Sequence, residues 1–174
     1  MATEQVDDKF SSAGLNRIAI HLREIGIPVR AATLGDDDQL PGVRIERGAL
    51  LVEQHRLLYP GDVVHEAGHI AVLPPRERAR VVGILPSDPG QEMAALAWSY
   101  GFAVTFDLPL AVVFHDAFKA GGPWLREMFS MGGEVGVPLL QHWNMSRMSN
   151  APDGFDDLPI FPEMAKWLRD DQQA

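Results

Sequence analysis

Residues 62–75 read DVVHEAGHIAVLPP, with two histidines four apart and a glutamate directly after the first. On an α-helix each residue advances about 100°, so His65 and His69 share one face and can bind a single tetrahedral metal ion. Glu66 projects beside that pair, where it can take a proton from a metal-bound water without displacing a ligand. Around these residues stand Val63, Val64, Ala67, Ile70, Ala71 and Val72, a set apolar enough to be internal. Burying two imidazoles and a carboxylate there costs about several kcal/mol unless something pairs with them, and a metal ion offsets that cost. The plainer alternative is a packed helix that carries one buried and one half-exposed histidine.

A catalytic zinc has three protein ligands and a water. The chain has no cysteine, so the ligands must be histidine and carboxylate. A third histidine six positions beyond His69 is excluded, because Pro75 stands there. Glu92, 23 residues after His69, opens the next helix in the run QEMAALAWS and is well placed to complete a His-His-Glu set. Ala95 and Ser99 share its helical face and are small enough to let its helix approach the histidine helix closely. His115 is the alternative third ligand. A second donor for a developing oxyanion would come from Tyr100, His115 or His142. Tyr100 lies about 80° around the helix from Glu92, and both histidines sit beside apolar residues where packing is the plainer role. His21 and His55 have no ligand partner at helical spacing and read as structural or surface residues.

The elements that must hold these side chains follow from hydrophobic period and punctuation. SSAGLNRIAIHLREIG predicts a first helix, with Leu15, Ile18, Ala19, Leu22 and Ile25 on one stripe, Ser11 or Ser12 as cap and Gly26 as stop. IPVRAATL reads as a short strand, GDDDQLPG as a polar loop of solvated aspartates, and VRIERGALLVEQHRLL as two strands hinged near Gly48. Asp62 is the expected cap of the histidine helix, which Pro74 and Pro75 end. Asp88-Pro89 starts the helix of Glu92. Short helices separated by glycine and proline are expected in LPLAVVFHDAFKAGG, PWLREMFSMGG, GVPLLQHWNMSRM and LPIFPEMAKWLRDD. KAGGP, at 119–123, lacks the context of a phosphate loop and reads as a turn, and Trp124, Phe129, Trp143 and Trp167 read as core. Helix and strands first, helices afterwards, is an α+β order.

Composition bounds the partners. In 174 residues, 46% hydrophobic content supports one domain with a substantial core. A net charge of -9, with no basic run, argues against nucleic acid and anionic membranes. MATEQVDDKF lacks the basic start and apolar run of a secretory signal, and no stretch reaches the roughly 18 apolar residues of a membrane span, so a cytoplasmic location is expected.

HEAGH, followed by the Glu92 element EMAALAWS and preceded by GVRIERGALLVEQH as a hairpin, resembles the gluzincin metallopeptidases. It is most similar to the compact ImmA/IrrE-type peptidases of phage-immunity and stress-response systems, over about residues 27–110, leaving 111–174 as a C-terminal helical part. The resemblance implies a zincin-like α+β fold, Zn2+ held by His65, His69 and Glu92, Glu66 as general base, and a peptide or protein substrate. An extended substrate would pair with the hairpin edge at Ala49 to Val52. A non-catalytic zinc-containing binding or regulatory module with the same fold is the alternative function.

Overall fold

The computed structural model describes residues 9–35, 40–83, 85 and 88–171. The aspartates of the GDDDQLPG loop therefore lie outside the described residues. Among those described, seven helices accompany one three-stranded open sheet, an α+β architecture.

Helix α1 (Ala13–Glu24) begins where the Ser12 side chain accepts the Leu15 N–H, and Gly26 beyond its end takes a positive φ. Its stripe of Leu15, Ile18, Ala19 and Leu22 is buried. Strand β1 (Val29–Ala31) leads to β2 (Val43–Glu46) and β3 (Ala49–Val52), the last two joined by a tight turn at Arg47 and Gly48, both with positive φ. The sheet order is β1-β3-β2, with β3 parallel to β1 and antiparallel to β2. Ala49 to Val52 thus form the middle strand. Both of its edges are taken by neighbours, so this segment cannot accept an added substrate strand as expected. The outer edge of β2 is itself partly covered: Arg47 N–H donates to Val81 O at 2.7 Å and Gly83 N–H to Ile45 O at 2.8 Å.

Val29, Val43, Ile45, Leu50 and Val52 give the sheet one apolar face, against which helix α2 (Pro60–Val72) packs with α1 alongside. Helix α2 starts earlier than expected. Tyr59 is its cap and Pro60 its first residue, leaving Asp62 inside the first turn; a proline is pre-set for that first position and has no N–H to lose there. After a short α3 (Pro75–Arg78), helix α4 (Pro89–Thr105) is capped by Asp88, which accepts from Gly90 and Gln91. Helix α4 is apolar around most of its circumference and runs through the core, burying Trp98 and Phe102 completely.

Helix α5 (Leu110–Val113) packs on α2 and α4, α6 (Gly122–Ser130) on α5, and α7 (Val137–His142) on α4. LPIFPEMAKWLRDD forms no helix. It is an irregular strap in which Trp167 packs against Trp98, Phe102 and Phe106, and Trp98 Nε1–H donates to Trp167 O at 2.9 Å. Two prolines and that docking displace the helical pattern. Phe129 and Trp143 are buried as expected, but Trp124 is 56% exposed at the start of α6. Among the described residues no helix is long and apolar enough to cross a membrane.

Candidate metal centre

His65 and His69 meet as their spacing requires. Their Nε2 atoms lie 3.1 Å apart on the face of α2 that looks toward α4. Across from them the two carboxylate oxygens of Glu92 divide: Oε1 is 3.3 Å from His65 Nε2, and Oε2 is 3.2 Å from His69 Nε2. Donors about 2.0–2.1 Å from one tetrahedral ion stand about 3.3 Å from each other, so these three side chains match the spacing of ligands to a single small cation. Glu66 also belongs to the group. It shares with His65 and His69 a set of ligand atoms within 4.8 Å of one another, but pairs with neither imidazole. The group of His65, Glu66 and His69 could hold a metal ion.

Close helix packing makes this possible. Gly68 lies between the two histidines, and a Cβ there would stand 2.8 Å from Ala95 O and 3.2 Å from Ser99 Oγ. The small Ala95 and Ser99 on α4 and the glycine on α2 bring the two backbones together, which carries Glu92, in the first turn of α4, onto the histidines. The Ser99 hydroxyl donates back to Ala95 O at 2.7 Å and so makes no demand on the site.

The electrostatics favour an ionised Glu92. Hydrogen bonds from His65 and His69 hold its carboxyl well below the usual carboxylate range, with burial opposing them only in part. Its place in the first turn of a helix acts in the same direction. The other ring nitrogen of His65, Nδ1, is buried without a partner among the described residues. Its ring is therefore oriented by packing, with the edge of Phe118 at 5.1 Å between centroids, and not by the outer hydrogen bond that commonly fixes a ligand histidine.

The remaining expected residues do not join the cluster. His115 is buried with Nε2 against Asp62 Oδ1 at 3.1 Å, its ring stacked on Tyr59 at 3.7 Å, and Nδ1 buried without a partner. Nε2 is thus engaged by Asp62 and not turned to the histidine pair. Tyr100 is stacked on Phe129 and tilted against Phe161, and burial raises its pKa. His142 is exposed on α7. His21 pairs with Glu24 and stacks on Phe106, and His55 is exposed, as a surface reading of both implies.

Two features escaped the sequence. The first is the segment after α5, which forms a wall of the site. Gly61 of α2 sits so close to α5 that a Cβ would overlap Val112 O, and at Gly122 one would overlap His115 O. Arg126 ties the same stretch down through Phe114 O at 2.6 Å and Asp116 at 2.8 Å. Thus anchored, the loop places His115 on Asp62, Phe118 on His65, and Lys119 Nζ 3.8 Å from Glu92 Oε1. The second is a clamp at the far end of α2. Pro74 and Pro75 lack the N–H groups that would have bonded Ile70 and Ala71 O. Arg78 Nε–H serves Ile70 at 3.1 Å instead, and the Arg169 N–H serves Ala71 at 2.9 Å. Arg78 also donates to Leu73 and Arg169 O, while the Arg169 guanidinium reaches Val72 O and lies over Trp143. Adjacent prolines followed by three arginines within six residues were the available signal for this clamp.

No family model matches this chain, nor does any curated protein or solved structure.

Proposed function

We propose that the protein is a zinc-dependent metallopeptidase. The observation that carries this reading is the division of labour between two carboxylates: Glu92 lies within 3.3 Å of both imidazole nitrogens, whereas Glu66 is close by and pairs with neither. His65, His69 and Glu92 would be the ligands, and a nitrogen-and-carboxylate set of three suits zinc in a site with one open position. The bound ion would supply positive charge that lowers the pKa of water towards neutrality and polarises a carbonyl group. Glu66 takes a proton from the attacking water as its oxygen bonds to the carbonyl carbon. It then delivers that proton to the amide nitrogen as the C–N bond breaks. A zinc held only for structure would ordinarily have four protein ligands and would give an unpaired glutamate nothing to do.

The direct test is to incubate zinc-loaded protein with a complex peptide mixture and identify new termini by mass spectrometry, beside Glu66→Gln loaded with the same metal. Cleavage by the wild type that falls by about a hundredfold or more in Glu66→Gln supports the reading. Metal-loaded wild type that cuts nothing, or a Glu66→Gln variant that cuts equally well, contradicts it.

A further inference from the structure

The wall segment between α5 and α6 brings a cation to the cluster, whereas Tyr100 is stacked on Phe129 and His115 is engaged by Asp62. Among the described residues Glu92 is the one carboxylate within ion-pair range of Lys119, at 3.8 Å. The backbone on either side of Lys119 is fixed. Phe118 packs on His65, the Phe118 N–H donates to His115 O, the Gly121 N–H donates to Phe118 O, and Gly122 is pressed against His115 O. The side chain itself is 61% exposed. An anchored main chain carrying an open ammonium beside a ligand oxygen is arranged to meet something that arrives from solvent.

Charge says what that is. Two neutral imidazoles and Glu92 around a divalent ion leave one net positive charge, and Lys119 adds a second within a few ångströms. Like charges this close repel, and an anionic oxygen beside Lys119 would relieve that repulsion. We propose that Lys119 is a catalytic residue, its ammonium binding the negative charge that develops on the carbonyl oxygen of the scissile peptide. This rests on the metallopeptidase reading above. It assigns to Lys119 the role first sought in Tyr100, His115 and His142: as water adds to the carbonyl carbon, the displaced π electrons collect on the oxygen, and Lys119 stabilises them until the C–N bond breaks.

Methylphosphonate carries anionic oxygens in the required tetrahedral arrangement and needs no knowledge of the substrate sequence. Cobalt(II)-loaded protein is titrated with it, following the visible absorption of the metal, for wild type, Lys119→Ala and Lys119→Arg, with metal content and melting temperature measured on each. The expected result is equal metal content and unchanged melting in all three, phosphonate binding about tenfold or more weaker in Lys119→Ala, and recovery of most of it in Lys119→Arg. Equal phosphonate affinity in wild type and Lys119→Ala would overturn the proposal and make Lys119 a surface counter-ion of Glu92. Metal-loaded wild type that binds no phosphonate would overturn it too. Both outcomes leave the metal site standing, whereas a wild type that takes up no metal removes the metallopeptidase reading and this assignment together.

Discussion

Helix α2 carries polar groups into the interior at two places, and it resolves them in opposite ways. At its C-terminal end the carbonyls of Ile70, Ala71, Val72 and Leu73 each receive a donor from Arg78 or Arg169. Along the face toward α4, His65 and His69 instead turn their Nε2 atoms toward each other at 3.1 Å and toward one carboxylate at 3.2 and 3.3 Å. The clamp is acceptors matched by donors, which is how a protein satisfies its own backbone. The cluster is three potential lone-pair donors converging on one point, which is complementary to a cation. The same helix therefore carries a polar network whose partners are all within the chain beside one that could hold an ion.

The largest effect is expected at the cluster. Adding zinc at about a hundredfold over its dissociation constant stabilises a protein that binds it only when folded by about 2.7 kcal/mol. For a chain of this length that raises the melting temperature by about 5–10 °C. Differential scanning fluorimetry should show this rise for wild type and none for His65→Ala. A smaller effect tests the packing that assembles the cluster. Gly68→Ala puts a Cβ 2.8 Å from Ala95 O, so α2 and α4 must separate; we expect a loss of about 1–3 kcal/mol in denaturant unfolding together with weaker zinc binding in chelator competition. Smallest is the effect at the clamp. Arg78→Met removes donors from Ile70 and Leu73 and should cost about 1–2 kcal/mol of stability, while the protein still takes up zinc to the wild-type stoichiometry. If Arg78→Met lost zinc as completely as His65→Ala, the two regions would not be separable and the contrast drawn between them would fail.

What could be read from the sequence was what a single helix or turn decides locally. The i, i+4 spacing of His65 and His69, the Ser12 and Asp88 caps and the turn at Arg47-Gly48 are set by residues a few positions apart. Glu92 was within reach because Ala95 and Ser99 advertise a close helix contact before the contact is seen. Strand order was not legible. The hairpin is local, but the parallel pairing of β1 that puts β3 in the middle depends on where α1 sends the chain. The start of α2 was misread in favour of Asp62, although Pro60 carried the better signal, and the freed Asp62 holds His115 instead. Lys119 and Arg169 act across 27 and about 100 residues of chain from the groups they serve, and no periodic pattern encodes where an irregular segment aims a side chain.

Under the proposed function Glu92 is a metal ligand and Glu66 is not. Elemental analysis of purified, untagged protein after zinc incubation and dialysis tests it most directly, comparing wild type with Glu66→Gln and Glu92→Ala. About one zinc per chain in wild type and Glu66→Gln, and little in Glu92→Ala, is the predicted result. Zinc retained in Glu92→Ala but lost in Glu66→Gln would reverse the two roles, and no zinc in the wild type would reduce HEAGH to a packed helix.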